Sequence, residues 1–149
     1  MKLMSRCRSG FTLIELLITI SIIAVLSLIG LVIYSSVLKQ GRDSKRQSDL
    51  RSIQSALEQY FADQFDYPSA ITFNGGALSA GGRTYLNTIP SDPQSSPNYC
   101  YLALPNNPCD NSSTNKCTSY KLYAKLESQP NGSYSCGSVS TYNLEFTPP

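Results

Sequence analysis

The run Phe11–Tyr34, FTLIELLITISIIAVLSLIGLVIY, holds 24 residues with a single charge, Glu15, and no proline. At 1.5 Å per residue a helix of this length crosses a hydrocarbon core of roughly 30 Å. Leu, Ile and Val occupy the whole helical circumference, so no polar face is left for water. A membrane or a fully buried position satisfies such a segment, a membrane first; the surface of a soluble domain does not. The chain has room for one domain beyond it.

Glu15 is the anomaly, because a carboxylate at hydrocarbon depth costs about 2.5–3.5 kcal/mol on insertion scales. Upstream lies MKLMSRCRSG, with Lys2, Arg6 and Arg8 but no apolar core of its own. An ordinary secretory signal is cleaved after its apolar run, and this leader is not built that way. A cut after Gly10 makes Phe11 the new N-terminus and puts Glu15 one turn into the helix. There the positive end of the helix dipole and the nearby α-amino group both favour the carboxylate.

The junction Gly10-Phe11-Thr12-Leu13-Ile14-Glu15 after a short basic leader resembles the class III signal of type IV pilins and pseudopilins. The motif covers about the first 35 residues, and a looser likeness continues to about Pro93. The resemblance implies that a prepilin peptidase cuts after Gly10 and N-methylates Phe11. It implies that Glu15 neutralises the amino terminus of a neighbouring copy as the helices pack into a filament. It further implies an inner-membrane assembly platform as a partner, and membrane lipid around the helix before assembly.

Once the leader is removed, nine basic residues face ten acidic ones, so the positive charge of the precursor is a property of its leader. Nucleic acid is therefore not an expected partner. Cys7 leaves with the leader, and Cys100, Cys109, Cys117 and Cys136 remain in the last third. Four cysteines in a small loop-rich domain read as two disulfides formed in an oxidising compartment. Their spacings fit no zinc pattern and histidine is absent. Three pairings are possible; the favoured one joins Cys109 to Cys117 across the polar DNSSTNK loop, leaving Cys100 for Cys136. One count opposes an outward head: Lys39, Arg42, Lys45, Arg46 and Arg51 follow the apolar run, against three basic residues in the leader. The cysteines, the interleaved Asp43 and Asp49, and a cytoplasmic-side peptidase outweigh it.

Beyond Tyr34, Leu50, Ile53, Leu57, Tyr60 or Phe61, and Gln64 or Phe65 recur at spacings of three and four. They predict an amphipathic helix continuous with the apolar one, from about Thr12 to Phe65 and on the order of 80 Å long. Gly30 and Gly41 are its weak points. Tyr67 and Pro68 end it. Residues Ser69 to Pro97 read as a long Gly/Ser/Pro-rich loop; within it TIPSDPQSSPNYCY resembles a segment preceding the sheet of the major pseudopilin of type II secretion, and Asp92 accepts local backbone bonds. Three alternating runs follow, Tyr99 to Leu104, Tyr120 to Glu127 and Tyr142 to Phe146. They predict a small antiparallel sheet whose apolar face covers the helix, an α+β, type IV pilin-like head.

No catalytic constellation is visible, and no cofactor or metal is called for. Major pseudopilins bind calcium through a loop, whereas the C-terminal region here offers only Asp110 and Glu145 among Asn and Ser. Arg42, Lys45, Arg46 and Arg51 read as intersubunit or i,i+4 partners of Asp43 and Asp49. The tyrosines read as sheet packing with polar tips in water, or as an adhesive surface. Asn111 and Asn131 each begin an N-glycosylation triplet. The expected organisation is a leader at 1–10, a transmembrane and assembly helix at 11–34, an amphipathic helix at 35–66 and a sheet head at 67–149. The expected function is a filament subunit, with its N-terminus cytoplasmic and its head outside; a monomeric anchored binding module that keeps its leader is the alternative.

Overall fold

A computed structural model describes residues 10–94, 99–105, 109–137 and 139–149. The leader residues before Gly10, Cys7 among them, and Pro97 of the connecting segment lie outside them. The chain divides into two compact units, Met1–Leu38 and Lys39–Pro149; the second is called the head below. One helix, α1 (Leu13–Gln64), contributes to both. Gly30 and Gly41 lie within it.

In the first unit α1 is apolar all round, and every described side chain from Phe11 to Leu38 is exposed. In the head the helix changes character. Leu50, Ile53, Ala56 and Leu57 form a buried stripe, with Tyr60 and Phe61 packed beside it. Burial stabilises each of the large side chains in that stripe by about 1.5–3 kcal/mol. The helix stops at Gln64 because Phe65 turns to a left-handed φ of 61°. Phe65 therefore leaves the stripe and points to solvent, 74% exposed. Tyr67 takes its place, stacked on Phe61 at 4.6 Å and edge-on to Tyr120 at 4.8 Å.

Seven strands follow: β1 (Leu78–Ala80), β2 (Arg83–Leu86), β3 (Cys100–Leu104), β4 (Ser119–Ala124), β5 (Tyr134–Cys136), β6 (Val139–Tyr142) and β7 (Leu144–Phe146). The central sheet has the order β3-β4-β7 and is antiparallel throughout. With α1 it forms the expected α+β arrangement. Register fixes its two faces. Tyr101 opposite Leu122, Ala103 opposite Tyr120, Leu122 opposite Phe146 and Ala124 opposite Leu144 all belong to the core with the helix. Cys100 and Leu102 lie on the other face with Tyr123 and join a second cluster with Cys136, Val139 and Tyr142. Strand alternation in the sequence places Cys100, Leu102 and Leu104 on one apolar face of β3; the side that meets the helix is instead Tyr101 and Ala103.

Two hairpins were not expected. Residues Ser69 to Pro97 are not all loop, since β1 and β2 pair across Gly81-Gly82, where both residues have positive φ. Glycine adopts that turn without steric cost. The β5–β6 hairpin forms its own two-stranded sheet, and Tyr142 ends β6 rather than starting the last strand. Gly132 passes against the Tyr142 carbonyl with no room for a Cβ.

Candidate assembly and processing site

Leu13 opens α1, and Thr12 caps it. The Thr12 hydroxyl accepts from the Glu15 amide at 3.3 Å, while Glu15 Oε2 accepts from the Thr12 amide at 3.0 Å and from its hydroxyl at 2.9 Å. This is a reciprocal capping box, in which two of the helix's orphan donors are satisfied. Its signal, Thr-x-x-Glu ahead of an apolar run, was present in the sequence and went unread. Gly10 and Phe11 precede it, both exposed. The carboxylate is thus oriented by its own chain at the mouth of the helix. Between Gly10 and Lys39 it is the only charged side chain in the sequence.

A second charged constellation lies within the head. Arg46 is 2% exposed. Its Nε and Nη2 donate to the two oxygens of Asp92 at 2.8 and 2.9 Å. Its Nη1 donates to Asp43 at 2.8 Å and to Glu127 at 2.8 Å. Arg42 grips Glu127 with two further bonds of 2.7 and 2.6 Å. The Arg42 hydrogen bonds, then those of Arg46, hold the Glu127 carboxyl at about 2. Burial alone raises the Asp43 carboxyl, but Ser128 and the amides of Glu127 and Ser128 outweigh it and keep it low. The network ties one turn of α1 to the proline-rich segment through Asp92 and to the segment that follows β4 through Glu127.

The sequence reading paired these cations with Asp43 and Asp49, which holds for Arg46 with Asp43 and Lys45 with Asp49. It missed Asp92 and Glu127, which lie 46 and 81 residues from Arg46. Asp92 also accepts the Gln94 amide at 2.8 Å, the local backbone bond expected of it. The one available signal was that Asp92 is the only acidic residue between Ser69 and Pro97.

Cys100 joins Cys136, tethering β3 to β5, and Cys109 joins Cys117 across the polar loop. That loop is tied further by Asn111, whose amide donates to the Tyr67 carbonyl and accepts the Cys117 amide, both at 2.9 Å. The Asn111 side chain is thereby committed within the head. Asp110 accepts the Ser112 amide, and Glu145 pairs with Lys121. Among the described residues no group of three or more potential metal ligands forms.

The tyrosine tips differ from expectation. Tyr67 and Tyr120 both donate to Glu58, Tyr99 donates to Asp49, and Tyr101 donates to the Pro68 carbonyl. Burial, then the Glu58 bond, pushes Tyr67 up to about 12. Tyr67, Tyr99 and Tyr120 are bonded inside the head because α1 carries Asp49 and Glu58 beside its buried apolar stripe.

Residues 5–31 match the prokaryotic N-terminal methylation motif family. The chain is similar to the type II secretion system core protein G of Pseudomonas aeruginosa, 32% identical over 108 residues, covering 66% of this chain and 75% of that protein. It is also similar to the fimbrial protein EcpC of Eikenella corrodens, 29% identical over 87 residues, 58% of this chain and 56% of that one. No solved structure matches at a significant level. A shared N-terminal motif, a long helix carrying a small antiparallel sheet, and a third of positions identical across three quarters of a pseudopilin lead to one assignment: the chain belongs to the type IV pilin and type II secretion pseudopilin family.

Proposed function

We propose that the chain is a structural subunit of a type IV pilus or type II secretion pseudopilus, cut after Gly10, N-methylated on Phe11 and polymerised through residues 11–34. The observation that carries this reading is the first unit, in which every described side chain from Phe11 to Leu38 is exposed and the single charge is Glu15. An apolar surface of that extent needs lipid or other helices to cover it. Lipid covers it before assembly and copies of the same helix cover it afterwards, with Glu15 meeting the amino terminus of a neighbour. Residues 35–66 and 67–149 then act as the helical and sheet parts of one outward head. The role is structural and uses no catalytic chemistry.

Orientation follows the same reasoning. The N-terminus stays in the cytoplasm, where a prepilin peptidase and the assembly platform act, and the head lies outside. The two disulfides support an oxidising side for the head. Arg42, Lys45 and Arg46 are held by carboxylates of the head, so their number reflects how it folds rather than retention in the cytoplasm.

Intact mass of the membrane-extracted protein tests the reading, with a chain beginning at methylated Phe11 as the expected result. A Glu15→Val chain enters the membrane but yields few filaments. A filament-associated form that still carries Met1, or wild-type filament yield from the variant, refutes it.

A further inference from the structure

A cleft of about 280 Å³ lies in the head between the start of the connecting segment and β1, bounded by Tyr60, Ser69, Ile71, Thr72, Leu78 and Ser79. Its volume sits just below the usual range for small-molecule sites, about 300–1,000 Å³, and suits one ring-sized ligand. Among the described residues no charged side chain lines it. Three aliphatic hydroxyls do, those of Ser69, Thr72 and Ser79, and none of them has a hydrogen-bond partner among the described residues.

Tyr60 is the telling neighbour. Around it the phenols of Tyr67, Tyr85, Tyr101 and Tyr120 all donate to protein acceptors. Among the described residues the Tyr60 phenol finds no such acceptor, although its ring packs against Tyr85 at 5.3 Å and lines the cleft. The rims are held in place. Tyr101 bonds the Pro68 carbonyl on one side, and on the other Gly75 and Gly76 exchange backbone bonds with Ile89. Asn111, at the floor, is already committed to Tyr67 and Cys117.

An uncharged recess whose exposed lining is mostly polar, with the hydroxyls of Ser69, Thr72 and Ser79 unengaged and the Tyr60 ring at its edge, matches a ligand that is neutral and rich in donors and acceptors. An anion or cation finds no counter-charge there. An extended peptide finds only the three residues of β1 to pair with. We infer that the cleft is a binding subsite for one neutral hexose unit of a glycan.

The test is an amide NMR titration of the full chain in dodecylphosphocholine micelles, since maltoside detergents carry the chemistry being probed. The probes are the methyl glycosides of glucose, galactose and mannose, and a neutral tetrapeptide. At least one glycoside is expected to shift amides within residues 69–79. In Thr72→Val/Ser79→Ala, which alters only exposed side chains, the same glycoside binds about tenfold more weakly or worse, the loss of two neutral hydrogen bonds. An unchanged melting temperature shows that the variant is folded. Absence of shifts with every glycoside, shifts elsewhere in the head, equal affinity in the variant, or response to the tetrapeptide alone overturns the inference.

Discussion

Replacing Arg46 by methionine keeps a side chain of similar reach while removing the cation, and the loss falls unevenly on three carboxylates. Asp43 keeps the amides of Glu127 and Ser128, each at 2.8 Å. Glu127 keeps Arg42 at 2.6 Å. Among the described residues Asp92 keeps only the Gln94 amide, with its side chain 1% exposed. Breaking a buried pair from one side costs about 3–5 kcal/mol, because the surviving charge stays buried without its partner. For a head of this size that corresponds to a fall of about 10–25 °C in Tm. The chain has ten tyrosines and no tryptophan, and every tyrosine but Tyr34 lies in the head, so near-UV circular dichroism of the detergent-solubilised protein reads head packing. Adding Asp92→Asn to Arg46→Met is expected to recover part of the loss, since it removes the orphaned charge while keeping the shape. A fall in Tm under about 4 °C, equivalent to less than about 1 kcal/mol, refutes the reasoning, as does further loss from the second substitution.

Glu127 makes the head sensitive to acid: its folded value lies near 2 against an ordinary 4.5, so the stability it contributes is complete above about 4.5 and drains away as the pH falls toward 2. Melts across that window should show the loss, and Glu127→Gln should flatten it. The two crosslinks should differ in weight, because Cys100–Cys136 closes 36 residues and Cys109–Cys117 closes 8. Chain entropy assigns them about 4 and about 2.5 kcal/mol, so paired serine substitutions should lower Tm in that order. Thr12→Ala removes the N-cap and should speed amide exchange in the first turn of α1 by an amount equivalent to about 0.5–2 kcal/mol, with the head melt unchanged.

The apolar run and its lone Glu15 mark a long helix without help from tertiary structure, because a helix that is greasy all round has no face for water, and the period of Leu50, Ile53 and Leu57 shows where burial begins. Strand alternation likewise locates β3, β4 and β7, since side chains on a strand have only two directions to choose from. The capping box and the Gly81-Gly82 turn are equally local, each set by residues within four positions of one another. The face of β3 that meets the helix was decided by register, because only pairing with Tyr120 and Leu122 puts Tyr101 and Ala103, rather than Cys100 and Leu102, over α1. Apart from the local pair of Arg46 with Asp43, the Arg46 network was decided by the fold. Nothing in the spacing of Asp92 and Glu127 announces that packing an apolar stripe will bring them to one buried guanidinium.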